Sequence, residues 1–201
     1  DSCATGRLPP LLAEYHQRYP EVTLELVTGQ WPQLLDDVQH HRLDAAIVAI
    51  DVQHPKLLST ALYHEPLILI AGAAHPPLTD LSAISRQTVF MWPAGCPYRD
   101  TLEQWLAVHN VPINSVAYAN WGSIIGCVGA GAGLAIVPEG MLERFGTDAT
   151  LTRYRFNDLP AVQNRLVWHR ETGCHTARDA FASLLAEHFS PQNPGPATAC
   201  K

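Results

Sequence analysis

The chain has 201 residues, of which 47% are hydrophobic and 16% are charged, and its formal net charge is −6 at pH 7. These values are typical of a folded protein with its own hydrophobic core, and no apolar run approaches the roughly 18–20 residues of a membrane-spanning helix. The negative charge and the lack of a Lys/Arg cluster argue against nucleic-acid binding by this chain alone, because binding phosphates requires a basic surface.

Helical and strand patterns alternate in the first part of the chain. Apolar residues at helical spacing predict helices over 8–19 and 31–41, the first of which ends at Pro20. Alternating apolar residues predict a strand over 22–27, and the continuous apolar run at 43–50 predicts a strand buried on both faces. This alternation predicts a parallel sheet with flanking helices.

The later elements suggest a second lobe. Strands are predicted at 58–64, 66–72, 88–92, 115–118, 151–156 and 165–169, and helices at 97–109 and 176–189. Their order indicates that the chain leaves a first lobe near Pro66 and returns to it near His169. We therefore expect residues 1–65 and 170–190 to form lobe I and residues 66–169 to form lobe II. The polar, Pro-rich residues 191–201 predict a flexible tail.

The segment WGSIIGCVGAGAGLAIVPEG (121–140) is the most informative part of the sequence. It predicts a short helix with Ser123 as N-cap, a glycine turn and a buried strand stopped by Pro138. Since a helix N-terminus carries free N–H groups and a partial positive charge, this segment suits a small anionic ligand. A tightly packed helix–strand turn without a ligand is the alternative.

The cysteines and histidines do not form a recognisable metal or disulfide pattern. The cysteines are Cys3, Cys96, Cys127, Cys174 and Cys200. An odd count, wide spacing and the absence of a CxxC argue against a disulfide framework and a structural zinc site, and favour a reducing cytoplasm. The ten histidines have no ligand spacing. We expect neither a metal nor a cofactor.

Five segments carry a family resemblance. They are RLPPLLAEYHQRYPEVTLELVTG (7–29), LDAAIVAI (43–50), EPLILIAGAAHPP (65–77), GCPYRDTLEQWL (95–106) and GSIIGCVGAGAGLAIVPEG (122–140). Together they resemble the effector-binding domain of LysR-type transcriptional regulators, and the likeness runs from Ser2 to about Phe189.

The resemblance implies a fold, a ligand and an assembly. The implied α/β fold has two Rossmann-like lobes joined by two crossing strands, like a periplasmic binding protein of type II. It also implies a small-molecule effector in the cleft between the lobes, and a homodimer or tetramer. Family members carry an N-terminal helix-turn-helix that this chain lacks, so DNA would be contacted only through that domain. The family also has a strand just before the position of Asp1, so we expect further residues on the N-terminal side.

Helix starts supply most of the candidate ligand-binding residues. Ser2 and Thr5 lie at the start of the first helix, where hydroxyls cap the helix or bind a carboxylate. Pro97 suits the first position of the next helix, which places Cys96 at its cap. Arg99 is the candidate for binding a ligand carboxylate through two hydrogen bonds. The alternative is a surface arginine that pairs with Asp100 or Glu103.

The other candidates follow strands or begin the glycine-rich segment. Thr28 and Ile50 follow strands of lobe I, and Trp92 and Pro93 occupy a comparable place in lobe II. Trp92 could stack on an aromatic ligand or pack in the core. The full set is Ser2, Cys3, Thr5, Thr28, Ile50, Trp92, Pro93, Cys96, Arg99 and Ser123. Three helix starts, near Ser2, Cys96 and Ser123, are expected to converge on the cleft, which favours an anionic metabolite.

The leading hypothesis is a metabolite-sensing domain that controls DNA binding by the missing N-terminal domain. The sequence has no G-x-S-x-G, Walker A or dinucleotide-binding fingerprint, so an enzyme is not expected. Two alternatives share the fold: a periplasmic-type solute-binding protein, and a thiol redox sensor that uses Cys3, Cys96 or Cys127. A thiol at a helix start, such as that of Cys96, is either reactive with a lowered pKa or packed and inert.

Overall fold

A computed structural model describes residues 2–78, 80–144 and 150–189 of the chain. The tail predicted for 191–201 lies outside the described residues. The helices are α1 (Ser2–Gly6), α2 (Leu8–Arg18), α3 (Trp31–Gln39), α4 (Pro97–Val108), α5 (Trp121–Gly129), α6 (Glu139–Arg144) and α7 (Thr176–Phe189). The strands are β1 (Ala46–Val48), β2 (Leu57–Glu65), β3 (Leu67–Gly72), β4 (Thr88–Met91), β5 (Asn114–Ala117), β6 (Leu134–Pro138), β7 (Leu151–Tyr154) and β8 (Val162–His169).

The described strands form two sheets, each with its own helices. The first has the order β1-β8-β2 and packs against α2, α3 and α7, and the second has the order β5-β4-β6-β3-β7 and packs against α4, α5 and α6. We call these units the first and the second lobe. Helix α1 packs against both α2 and α6, so it lies where the lobes meet.

The strand directions differ from the parallel sheet that the sequence predicts. In the first lobe β8 runs antiparallel to both β1 and β2. In the second lobe β4 is parallel to β5 and β6, whereas β3 is antiparallel to β6 and β7. Helix and strand periodicity indicates which residues form elements, but strand direction depends on how the chain crosses between the lobes.

In the described residues the chain passes between the two sheets twice. Only Pro66 separates β2, in the first sheet, from β3, in the second. The return runs from Tyr154 at the end of β7 to Val162 at the start of β8. Because all of β8 pairs with strands of the first sheet, the return precedes Val162, whereas the sequence places it near His169.

Strand β3 shows why the second lobe holds together. All six of its residues are buried, and successive side chains belong to opposite hydrophobic clusters. Leu67 and Leu69 contact the cluster that contains Trp105 of α4, whereas Ile68 and Ile70 contact the cluster that contains Ile124 of α5. A strand covered by helices on both faces gives the continuous apolar run seen in the sequence.

The strand predicted over 22–27 is absent. This segment is extended but pairs with no strand in the described part of the chain. Leu24, Leu26 and Val27 are consequently 41%, 51% and 51% exposed. Alternating apolar residues favour a strand only where a neighbouring strand can accept its backbone hydrogen bonds.

The glycine-rich segment folds as a helix, a turn and a buried strand, but its cap differs from the prediction. Helix α5 has Asn120 as its N-cap, and the Asn120 side-chain oxygen accepts the Ser123 N–H at 2.9 Å. Ser123 is therefore the third helical residue and not the cap. After the turn, a Cβ on Gly133 would lie 2.3 Å from the Thr88 carbonyl oxygen, so glycine is required for β6 to lie this close to β4.

None of the helices among the described residues is both long and apolar enough to cross a bilayer.

Candidate functional site

A buried ion pair fixes the place where the lobes meet. Arg7, which joins α1 to α2, donates from Nε and Nη2 to the Glu65 carboxylate, at 3.1 Å in both cases. Glu65 is the last residue of β2 and is 2% exposed, and it also accepts the Gly140 N–H of α6 at 2.8 Å. The Glu65 carboxylate thus connects β2 of the first lobe, α6 of the second lobe and the residue that follows α1.

Tyr98 makes a polar contact across the cleft. It lies on α4 of the second lobe, and its hydroxyl donates to Asn164 Oδ1 on β8 of the first lobe at 3.1 Å. The Ser2 side chain of α1 lies close to the Tyr98 hydroxyl. Burial raises the pKa of Tyr98, so this phenol remains a neutral donor at physiological pH.

Cys3 faces the same region from α1. Its thiol lies beside the Tyr63 hydroxyl, which is buried and has no hydrogen-bond partner of normal geometry among the described residues. Burial raises the pKa of Cys3 to about 11. The thiol is therefore protonated and a weak nucleophile at neutral pH.

The loop 92–96 contacts elements of both lobes. Trp92 stacks on Trp121, the first residue of α5, with ring centroids 4.7 Å apart and planes 19° apart. Trp31, the first residue of α3 in the first lobe, donates its indole N–H to the Gly95 carbonyl at 3.1 Å. The loop therefore connects the start of α5 to the first lobe.

Arg99 is already paired in this structure. Its Nε donates to Glu103 Oε1 at 2.7 Å, and its Nη1 donates to the Trp92 carbonyl at 3.1 Å. The Arg99 side chain is 18% exposed and the Glu103 side chain is 42% exposed. Of the two sequence-based alternatives for Arg99, the structure shows the pairing with Glu103, and it also places the cation beside the two stacked tryptophans.

Cys96 caps α4 with its backbone, since its side chain makes no capping hydrogen bond to the helix. Burial raises the pKa of Cys96, although the backbone N–H groups of Arg99 and Tyr98 lie near enough to the thiol to oppose this effect. The structure therefore favours the packed thiol over the reactive one.

The remaining predicted residues contribute less to the contacts around Tyr98 and the loop 92–96. Ser123 is exposed at the start of α5, and Thr28 is exposed in the segment before α3. Ile50 packs against the hydrophobic cluster of the first lobe that includes Val38 and Val167. Thr5 and Pro93 are half-buried.

The candidate site therefore has two connected parts. Ser2 and Cys3 lie together near Tyr98, and Trp92, Cys96 and Arg99 lie together around the loop 92–96. In the described residues no group of three or more His, Cys, Asp or Glu side chains is placed to hold a metal ion.

Comparison with known proteins identifies the family. The family model described as "LysR substrate binding domain" matches residues 1–190. The chain belongs to this family. The match confirms the resemblance seen in the sequence and covers both lobes of this LysR substrate binding domain.

Two relatives are transcriptional regulators from Bacillus subtilis strain 168. The chain is 29% identical over 196 residues to "HTH-type transcriptional regulator GltR", covering 96% of the chain and 66% of that protein. It is 32% identical over 189 residues to "Uncharacterized HTH-type transcriptional regulator YusT", covering 92% of the chain and 60% of that protein. The chain thus spans less than two thirds of each relative.

A solved structure confirms the fold class. The regulatory domain of CcmR from Synechocystis PCC6803, solved in complex with 2-PG, superposes with a TM-score of 0.82. Its sequence is 19% identical, and the match covers 95% of each chain. This likeness establishes the two-lobed, periplasmic-binding-protein-like α/β architecture that the sequence predicts.

Sequence reasoning missed several residues of the site. Tyr98 lies between the predicted Cys96 and Arg99, and its only sequence signal was its place in the first turn of a helix that begins near the cleft. Asn164 and Glu65 are buried polar residues within strands, and Trp31 follows the predicted Thr28 by three positions. Their role depends on how the two lobes face each other, which periodicity does not encode.

Two concave surfaces of the domain lie apart from these residues. One, of about 350 Å³, is lined by Leu78, Asp80, Ile84, Arg153, Tyr154, Arg155 and Phe156. The other, of about 440 Å³, is lined by Asp80, Leu81, Ser82, Ser85, His109, Asn110, Val111 and Pro112. Both lie on the second lobe around Asp80 and contain none of the residues that meet across the cleft.

Proposed function

We propose that this chain is the effector-sensing domain of a LysR-type transcriptional regulator and that a small anionic metabolite binds between its lobes. The observation that carries the proposal is the contact of Tyr98, in the second lobe, with Asn164 in the first lobe and with Ser2 of α1. A hydroxyl that joins three elements across a cleft can exchange those partners for a polar ligand at little cost in unsatisfied hydrogen bonds.

The proposed site combines the residues predicted from sequence with those that the structure adds. Ser2, Cys3 and Thr5 contribute from α1, Thr28 and Ile50 from the first lobe, and Trp92, Pro93, Cys96, Arg99 and Ser123 from the second lobe. Tyr98, Asn164 and Trp31 complete it. The exposed start of α5 at Ser123 offers backbone N–H groups to an acidic ligand.

We further propose that ligand binding shifts the arrangement of a homodimer or tetramer, and that DNA is contacted through a helix-turn-helix domain outside this chain. The two relatives named above are HTH-type regulators, which supports this reading and a cytoplasmic location. The ligand can shift such an equilibrium only by its different affinity for the two arrangements.

The alternative functions receive less support. A thiol sensor needs an ionised cysteine, whereas burial raises the pKa values of both Cys3 and Cys96. A solute-binding protein shares the fold, but the relatives that the chain matches over most of its length are transcriptional regulators.

The test is thermal unfolding of the domain against a panel of metabolites at about 1 mM. A ligand at roughly 100 times its dissociation constant adds about 2.7 kcal/mol to the free energy of unfolding, which raises the unfolding temperature by roughly 5–10 °C for a chain of this size.

We expect one class of compound to raise the unfolding temperature, and we expect this increase to be smaller in Tyr98→Phe and Ser123→Ala. Ser183→Ala, an exposed helix serine on α7, is the matched control and should keep the full shift. A shift equal in all four proteins would contradict the proposed site, and no shift from any compound would contradict the proposed function.

A further inference from the structure

Tryptophans are concentrated around the loop 92–96. Trp92 is half-buried and stacks on one side against Trp121. Trp31 reaches the same loop from the opposite lobe through its hydrogen bond to the Gly95 carbonyl. Stacked indoles present a flat, polarisable surface that favours a planar aromatic partner over an aliphatic one of similar size.

Trp121 adds a second observation at the start of α5. Its side chain is buried, with 7% exposure, and its indole N–H has no hydrogen-bond acceptor among the described residues. A buried donor without an acceptor has lost its hydration without compensation, which is unfavourable. The indole that carries this unsatisfied donor is the one stacked on Trp92.

The charges around the cleft limit the charge of the ligand. Arg7 is held by the buried carboxylate of Glu65. Arg165 of β8 lies 3.4 Å from Asp51, which follows β1. Each of these arginines is neutralised by its carboxylate partner, so neither adds net positive charge for a ligand with two or three negative charges.

The Arg99–Glu103 pair differs because it is easily opened. The two residues are four positions apart on α4, and the Glu103 side chain is 42% exposed. Such surface pairs contribute little to stability, so one incoming carboxylate can replace Glu103 at little cost. Because Arg99 also donates to the Trp92 carbonyl, that carboxylate would lie next to the stacked tryptophans.

We propose that the effector of this domain is a planar aromatic monocarboxylate, with its ring on Trp92 and its single carboxylate on Arg99 in place of Glu103. This inference rests on the proposed function and specifies the ligand class of the same site. The two halves of the ligand are recognised separately, because stacking selects the ring and the guanidinium selects the carboxylate.

The experiment separates these two contributions. Binding of benzoate, 4-hydroxybenzoate and indole-3-carboxylate is measured by calorimetry, alongside cyclohexanecarboxylate, benzamide and succinate. In the natural protein we expect the best aromatic acid to bind about 10-fold more tightly than the saturated acid or the neutral amide, since that ratio corresponds to about 1.4 kcal/mol. Succinate should bind no better than the saturated acid.

Two variants and one control decide the assignment. Trp92→Leu should bring aromatic and saturated acids to within about 2-fold of each other, and Arg99→Gln should do the same for acid and amide. Trp168→Leu, which changes a half-buried tryptophan of the first lobe that stacks with Arg178, should alter neither ratio. Circular dichroism establishes that each variant is folded before binding is compared.

The outcomes distinguish this inference from the proposed function. Unchanged ratios in folded Trp92→Leu and Arg99→Gln overturn the inference. So does binding of succinate or another multiply charged metabolite when no aromatic acid binds, although the sensing function then stands. If no compound of any class binds, both the inference and the proposed function are wrong.

Discussion

The guanidinium of Arg7 makes a two-point contact with the carboxylate of Glu65 at the position where the chain first crosses between the sheets. The carboxylate also accepts the Gly140 N–H, so one buried side chain connects α1, β2 and α6. A buried carboxylate is tolerated only when its charge and lone pairs are matched in this way. The arrangement holds these elements together independently of any ligand.

Removal of this carboxylate should destabilise the domain strongly. Glu65→Ala eliminates a buried charge partner and leaves the Gly140 N–H without its acceptor, so the free energy of unfolding should fall by about 3 kcal/mol. Glu187→Ala is the matched control, because Glu187 forms an exposed pair with Arg18 and should contribute less than about 1 kcal/mol. Urea denaturation measures both, and equal effects would show that the buried pair has no special role.

Two helical glycines should respond in opposite ways to substitution by alanine, because one lies in the close contact of α1 with α6 and the other lies on an open face of α5. A Cβ on Gly6 would lie 2.3 Å from the Gly140 carbonyl oxygen, whereas a Cβ on Gly126 of α5 would have nothing within 4 Å. Gly6→Ala should therefore destabilise by about 1–3 kcal/mol through overpacking. Gly126→Ala should stabilise by about 0.5–1 kcal/mol, because alanine is the better helix former. Thermal unfolding gives both signs, and a neutral Gly6→Ala would contradict the close approach.

Elements with strong periodicity were predictable from the sequence. Helix α7 extends over Thr176–Phe189, as its apolar stripe predicts, and the buried run of β3 lies within the predicted strand. The segment 22–27 has an equally regular alternation but forms no strand, because pairing requires a neighbour that the pattern does not contain. Strand direction in the first lobe was missed for a related reason, since it is set by the crossing of β8.

The candidate site was predictable only in outline. The sequence located the start of α4 at Cys96, because proline and capping residues act locally, but it placed the start of α5 three residues too late. It did not locate Tyr98 or Asn164, whose contact depends on how α4 faces β8 across the cleft. It also misassigned the cap of α5, because Asn120 and Ser123 are both good capping residues and only the backbone geometry distinguishes them.

The capping geometry of α5 leads to a test that separates stability from ligand binding. Asn120→Ala removes the acceptor of the Ser123 N–H and should destabilise by about 1 kcal/mol, whereas Asn120→Ser should recover most of that loss. Ser123→Ala should change stability by less than about 0.5 kcal/mol, because its exposed hydroxyl is not the cap. Urea denaturation decides the matter, and a loss of about 1 kcal/mol in Ser123→Ala would return the capping role to the serine.

The buried thiol of Cys3 should make the domain less stable in alkali. Burial raises its pKa from the usual value near 9 to about 11. Between these values the folded chain keeps the proton and the unfolded chain loses it, so stability falls as the pH rises. A shift of this size corresponds to a loss of about 3 kcal/mol on passing from below pH 9 to above pH 11. The measurement is urea denaturation at several pH values. It compares the natural protein with Cys3→Ala, which lacks the titrating group, and with Cys174→Ala, which removes an exposed thiol.

The natural protein should lose stability relative to Cys3→Ala as the pH rises, and Cys174→Ala should follow the natural protein. A difference that stays constant with pH would show that the Cys3 thiol titrates as it does in the unfolded chain.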